Sequence, residues 1–426
     1  MNNYSKNKLT VALLTIEDGI NRDKGGPTRV IYNLLRENKK RDGQLKIVCI
    51  FSKQIVGRYL ERGEREVEKL TFIRKCLKKY LRKFSFTSSI INISGFLLSC
   101  VRFVLTFWQY CRENKIDIVN AHDAFSGYFY LFFFKRKVKA PLILTIHSKG
   151  SWVKREFLAP SLIKKLFIFL EKFSLLNADI ITFPSMGAVE YFIEDIPSTK
   201  KIAHKIKIIH NGIDVQEFHF GGEENIIDIL EKVGTKKIIL SVTSLVIEKG
   251  VDILVRAFVE LKDEIKEKVY LVIVGTGPEY QNIKKILSND SSGNFMIIDK
   301  LKHEQIISLM KASTIFVLPH RVSIFDYVLL EAMLCRLPVI TTPVGGNLEI
   351  FTDKNSAVFV QKENIEELRK AIEYLLENDE ERRKIADIAY NLVTKKFTIE
   401  KMFDAYQDLY KAAWNKVKAN EKKNDL

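Results

Sequence analysis

Short apolar runs rich in Val, Ile and Leu alternate with longer stretches of helical spacing from one end of this 426-residue chain to the other. The runs fall at residues 9–16, 45–51, 116–121, 142–147, 180–184 and 206–209, then at 237–243, 269–274, 295–298, 315–318, 338–342 and 357–360. They lack the in-out alternation of a strand that keeps one face in water, so each predicts a strand buried on both faces. Such a strand needs helices above and below it. The pattern therefore predicts an α/β protein with parallel, doubly wound sheets. A chain of this length exceeds one ordinary core, and two domains of roughly 200 residues are expected. The rhythm breaks within 211–236, where residues 220–225 are polar and Gly-rich, and it restarts after Thr235. Domains are accordingly expected at 1–215 and 216–396. Residues 397–426 follow as a last helix and charged tail, with Ile399, Met402, Phe403, Tyr406, Tyr410 and Ala413 at helical spacing.

An apolar content of 46% with 28% charged residues excludes a disordered or fibrous chain. The net charge of +16 asks for anionic partners: nucleotide phosphates, lipid diphosphates, an acidic membrane surface or nucleic acid. Cys49, Cys76, Cys100, Cys111 and Cys335 are scattered and odd in number, which predicts free thiols in a reducing compartment. Residues 9–16 are too short for a signal-peptide core and read as the first strand. Residues 84–101 carry no charge, but Ser85, Thr87, Ser88, Ser89, Asn92, Ser94 and Ser99, then Arg102, argue against a spanning helix.

Several motifs stand at strand exits, where α/β domains bind ligands. Gly25 and Gly26 follow the first strand and precede a helix; paired glycines let backbone approach an anion. A βα turn needing positive φ explains them equally well. Lys249, beside Gly250 and before a helix, can reach a diphosphate, or it is a solvated helix-start lysine. Gly275 and Gly277 form a tight strand-to-helix loop, with or without a ligand. Glu331 lies near the start of an apolar helix, with Gly346 and Glu349 after the next strand. A buried carboxylate needs partners, and vicinal ribose hydroxyls suit it; a helix-start Glu favoured by the dipole is the plainer account. His122, followed by Asp123, and His147 each leave a predicted strand, where imidazoles can bind hydroxyls or a developing negative charge.

In their order, these stations resemble the retaining GT-B glycosyltransferases of the family 4 type (glycosyl transferases group 1). The resemblance rests on Gly25-Gly26, the two histidines, "IIHNGID", "EKGVDIL", "VGTGPEY" and "LLEAMLCRLPVITTPVGGNLEI", and it covers nearly the whole chain. It implies two Rossmann-like domains facing across a cleft, with the C-terminal helix crossing back to the first domain. It also implies that Lys249 neutralises a donor diphosphate, that Gly25, Gly26, Gly275, Gly277, Gly346 and Glu349 help bind the donor, and that Glu331 binds its ribose. His147 would lie beside the reacting sugar, with His122 and Asp123 on the acceptor side. No metal or other cofactor is expected, because cations and helix N-termini stabilise the departing nucleotide.

The chain departs from the family pattern at four places. Ser323 stands where a glutamate is usual, and Ile324-Phe325-Asp326 replaces Gly-Phe-Gly. Ser244 replaces a frequent arginine, and Arg336 a usual glycine. Asp326 is the candidate stand-in for the absent glutamate and is counted with His147 as catalytic.

Residues 69–84 form a basic amphipathic pattern, with Arg74, Lys75, Lys78, Lys79, Arg82 and Lys83 as candidate membrane contacts. A second patch joins residues 132–139 to Trp152, Lys154, Arg155, Phe157, Lys164, Lys165 and Phe167. A core-packed helix with a solvated charged face is the alternative. Nucleic acid is not expected, since no binding module is recognisable. The functional expectation is a cytoplasmic enzyme, peripheral on the inner face of the cell membrane. It would move a hexose from a nucleotide-diphosphate sugar to a glycan or polyprenyl-diphosphate-linked acceptor in surface-polysaccharide biosynthesis. The alternative is a catalytically silent subunit that binds glycan or nucleotide beside a partner enzyme; a sugar-nucleotide epimerase ranks third.

Overall fold

The structure, a computed structural model, describes residues 8–16, 27–41, 43–51, 55–56, 85–155, 161–220 and 226–424. Gly25, Gly26, Cys76 and the six basic residues from Arg74 to Lys83 lie outside the described residues. The chain divides into two compact units. The first comprises residues 1–183, 189–209 and 403–426; the second comprises 184–188 and 210–402.

The first unit holds β1 (Thr10–Leu14), β2 (Lys46–Ile50), β3 (Ile55–Val56), β4 (Ile118–Ala121), β5 (Leu142–Thr145), β6 (Ile180–Phe183) and β7 (Ile206–Ile208). Their spatial order is β3-β2-β1-β4-β5-β6-β7. All are parallel except β3, which runs antiparallel to β2. The second unit holds β8 (Lys237–Val242), β9 (Val269–Val274), β10 (Phe295–Ile298), β11 (Ile315–Leu318), β12 (Val339–Thr341) and β13 (Val358–Phe359). These are parallel throughout, in the order β10-β9-β8-β11-β12-β13. Every apolar run read from the sequence is a strand. Among the described residues only β3 was missed, since two residues carry no periodicity.

The continuous apolar character of the strands has the physical origin expected of it. Along β9, Val272 and Val274 belong to one hydrophobic core and Leu271 and Ile273 to another, so successive side chains feed opposite faces of the sheet. In β11, Phe316 and Leu318 enter the first of these cores and Ile315 and Val317 the second. Burying each such side chain contributes roughly 1.5–3 kcal/mol, so a polar substitution on either face is costly.

In both sheets the strand order reverses direction: β1 has β2 on one side and β4 on the other, and β8 has β9 and β11. A crevice opens beyond the carboxyl ends at such a reversal. The loops after β1, β4, β8 and β11 are therefore the places to look for chemistry. The last helix, Ile399–Asn424, contributes residues from 403 onward to the first unit. There Tyr410 is fully buried and its hydroxyl donates to Asn120 Oδ1 at 2.7 Å. The helix Ser85–Glu113 contains the uncharged stretch discussed above, and among the described residues no helix is long and apolar enough to cross a membrane.

Candidate active site

In the second unit, four loops meet at the carboxyl edge of the sheet, and glycines decide how closely they meet. Gly250, at φ +69°, starts the helix Val251–Val259; a Cβ there would stand 2.0 Å from Pro319 O, in the loop after β11. A Cβ on Gly346, after β12, would stand 1.7 Å from Ile324 O. Gly275 and Gly277 lie equally close to the backbone of Thr243 and Leu245 after β8. Any side chain at Gly250 or Gly346 would force backbone apart, so these two glycines draw the loops after β8, β11 and β12 into one rim.

Lys249 stands on this rim. Its Nζ lies 2.5 Å from Asp326 Oδ1, and the two side chains are 19% and 23% exposed. The other carboxylate oxygen of Asp326 faces His320 Nε2 at 2.9 Å and accepts from Ser323 Oγ at 3.1 Å. His320 is fully buried, and its Nδ1 lies 3.2 Å from Asn347 Nδ2, an amide donor. That donor assigns the ring proton to Nε2, the nitrogen that lies 2.9 Å from Asp326 Oδ2. Burial pushes the Asp326 carboxyl upward, but Lys249 and His320 outweigh it and hold the group ionised, well below the usual carboxylate range. Burial lowers His320 despite the opposing pull of Asp326. The cluster is one ammonium, one carboxylate and one neutral imidazole.

Ser323, at the position where the family pattern has a glutamate, is 1% exposed and turned toward Asp326. Arg321 does not make up for Ser244. Its guanidinium grips Asp252 at 2.6 and 2.8 Å and also binds Glu363, which raises its pKa further. Glu331 is buried in the helix Tyr327–Leu334 that Asp326 precedes. Glu349 is committed elsewhere: its Oε1 accepts from the amides of Met186 and Gly187, at 2.7 and 3.2 Å. The positive φ of Arg336, 52°, fits a position where glycine is usual, and its guanidinium lies 4.0 Å over the Tyr390 ring.

In the first unit, adjacent parallel strands β4 and β5 bring their exits together. His122 Nδ1 lies 3.0 Å from His147 Nε2, and the rings stack at 5.3 Å. Burial pushes His147 down to about 3; burial, then the neighbouring His147, lowers His122 well below its ordinary value. Both imidazoles are neutral, and one donates to the other. Asp123 lies beside them but is engaged as a helix cap: Oδ1 accepts from Ser126 N at 2.7 Å and Oδ2 from Ile16 N at 2.9 Å.

Sequence analysis assigned no role to His320 or Asn347, although both follow strands of the same sheet. Their common signal is position: a polar residue after one of the adjacent strands β11 and β12 at the carboxyl edge of the sheet. The patch of aromatics and cations needs one correction. Phe167 does not face solvent; it is 5% exposed and packs on Phe125 at 5.5 Å. Phe132, Phe133, Leu162, Leu166 and Phe169 are instead the exposed large apolar side chains of that region.

Two family models match the chain: Glycosyltransferase Family 4 over residues 24–217 and Glycosyl transferases group 1 over residues 222–392. An uncharacterized glycosyltransferase of Methanocaldococcus jannaschii is 25% identical over 323 residues, covering 74% of this chain and 80% of that one. Among solved structures, sucrose-phosphate synthase from Thermosynechococcus elongatus superposes with a TM-score of 0.67 at 18% identity, over 96% of this chain and all of the other. Anabaena HepE in complex with UDP-glucose gives 0.64 at 16% identity, over 95% of this chain and all of the other. At such identities the two structural likenesses speak for the fold.

Proposed function

The chain belongs to the GT-B glycosyltransferases of the group 1 and family 4 type and is a nucleotide-sugar-dependent transferase; from that membership we propose that it moves a hexose, with retention, onto a glycan or polyprenyl-diphosphate-linked acceptor in surface-polysaccharide biosynthesis. The observation that carries the donor half is Lys249 on a glycine-drawn rim at the order reversal of the second sheet. Backbone can approach a diphosphate there, Lys249 and the helix start beyond Gly250 offer positive charge, and buried Glu331 offers an acceptor for ribose hydroxyls. No metal is assigned a part, because Lys249 and these amides take the charge of the leaving nucleotide. The His122–His147 pair is given to the acceptor and reacting sugar, with His147 as the group in contact. UDP-glucose, bound by the Anabaena structure, is the first donor to try.

The test is binding and slow hydrolysis across a panel of UDP-, GDP- and ADP-sugars. At least one donor should bind and hydrolyse, and Lys249→Ala should weaken its binding by about one to two orders of magnitude, the loss of one charged hydrogen bond. A wild-type protein that binds none of them overturns the reading.

A second reading has a specific observation behind it: Lys249 is paired with Asp326 and Arg321 with Asp252 and Glu363. A silent subunit that binds but does not turn over nucleotide sugars would have such a site, and binding without hydrolysis or transfer is its signature. The membrane assignment (peripheral attachment on the inner face of the cell membrane) is supported by a face of the first unit. Leu162, Leu166 and Phe169 line one side of the helix Ser161–Asn177. Aromatic ring contacts continue from Phe169 through Phe173, Tyr128 and Phe132 to Phe133. Lys135, Arg136, Lys137, Lys139, Lys164 and Lys165 border these side chains in sequence.

A further inference from the structure

Resting on the donor-site reading above, we propose that Asp326 is a built-in counter-anion for Lys249, and that it sets how strongly the donor site holds phosphate. Three observations lead there. First, the loops after β8, β9, β11 and β12 contain two cations, Lys249 and Arg321. Arg321 is consumed by Asp252 and Glu363, which leaves Lys249 to meet a phosphate. Second, the 2.5 Å contact with Asp326 Oδ1 already occupies that ammonium. Third, the carboxylate cannot swing aside at no cost, because Oδ2 accepts from Ser323 Oγ at 3.1 Å and lies 2.9 Å from His320 Nε2. His320 Nδ1 lies 3.2 Å from Asn347 Nδ2, whose two N–H groups are shared among it, Thr341 Oγ1 and Thr342 O, the latter two at 3.0 Å.

Ser323 and Asp326 thus act together. A short hydroxyl at 323 makes room for the carboxylate at 326 and braces it. An incoming nucleoside diphosphate has two routes. It can share the three ammonium donors of Lys249 while sitting beside a fixed negative charge, or it can displace that charge from three partners. Either route weakens binding of the donor and, more usefully, of the nucleoside diphosphate left after transfer. Asp326 is thereby a specificity-determining residue: it disfavours ligands in proportion to the phosphate charge they bring to Lys249 and favours those whose remaining parts find other contacts.

The experiment compares wild type, Asp326→Asn and Asp326→Gly for calorimetric binding of UDP, GDP and ADP, with KM and kcat for the donor that is turned over. Asn keeps the shape and removes the charge. Gly removes the side chain at a helix start that tolerates it, and thermal unfolding reports whether each variant is folded. Both variants should bind the cognate nucleoside diphosphate about tenfold or more tightly, with a steeper dependence on salt. KM for donor should fall, and inhibition by the nucleoside diphosphate should strengthen. Equal or weaker binding by both variants, while wild type binds, overturns the counter-anion role and leaves the transferase reading standing. Absence of nucleotide binding by wild type overturns both.

Discussion

At His122 and His147, desolvation and a 3.0 Å nitrogen–nitrogen contact fix the protonation state together. Two imidazolium rings at that distance would set donor against donor, and desolvation disfavours charging either ring. The folded-state values lie below the ordinary one, which means the unfolded chain takes up protons first as pH falls. Stability from this pair is therefore fully present above about pH 6.5 and is lost on acidification toward the folded value of about 3 for His147. At pH 5 the expected loss from His147 is roughly 2 kcal/mol, and His122 shifts stability in the same direction. Chemical denaturation of wild type and of His122→Asn/His147→Gln between pH 7 and pH 5 measures it: the double variant should show the shallower slope, and equal slopes would remove the pair as the source. Strand-exit position, legible in the sequence, marked both histidines as site candidates. Their contact was not, because it depends on β4 and β5 being neighbours in register.

The elements divide by how local their causes are. The strands were read with small errors at their ends because burial on both faces leaves its record in every residue of the strand. The last helix, Ile399–Asn424, was legible as a helix for the same reason. What it docks onto was not legible from periodicity, since the Tyr410–Asn120 hydrogen bond joins residues 290 positions apart. Asn120 also donates to Thr145 Oγ1 at 2.8 Å and Ile143 O at 3.2 Å, so this bond closes a buried polar network. Tyr410→Phe leaves Asn120 Oδ1 without that donor and should cost about 1–3 kcal/mol. Denaturant unfolding gives the value; a change within 0.3 kcal/mol, about the scatter between independent sites, would mean the network repairs itself.

At the scale of the whole molecule, the surface carries a prediction of its own. Phe132 and Phe133 are 63% and 53% exposed, and Leu162 is 81% exposed, with Lys135, Arg136, Lys137, Lys164 and Lys165 close to them in sequence. Large apolar side chains gathered on one face mark an interaction site, and adjacent cations select an anionic one. Co-flotation with vesicles containing anionic lipid should recover the protein at low salt, and added salt should release part of it. Phe132→Ser with Phe133→Ser should lower partitioning by about tenfold or more, at roughly 2 kcal/mol per apolar side chain withdrawn from lipid. Equal recovery with neutral vesicles, or no recovery with either, would dismiss the anionic surface as partner. The sequence by itself determined the two parallel sheets and the residues at their strand exits, because burial on both faces and the position of a loop are properties of short segments. Tertiary structure alone decided the charge of the donor site. Lys249 and Asp326 lie 77 residues apart, and only the adjacency of β8 and β11 brings them within 2.5 Å. Electrostatic pairing depends on distance in space, and no segment of sequence contains that distance.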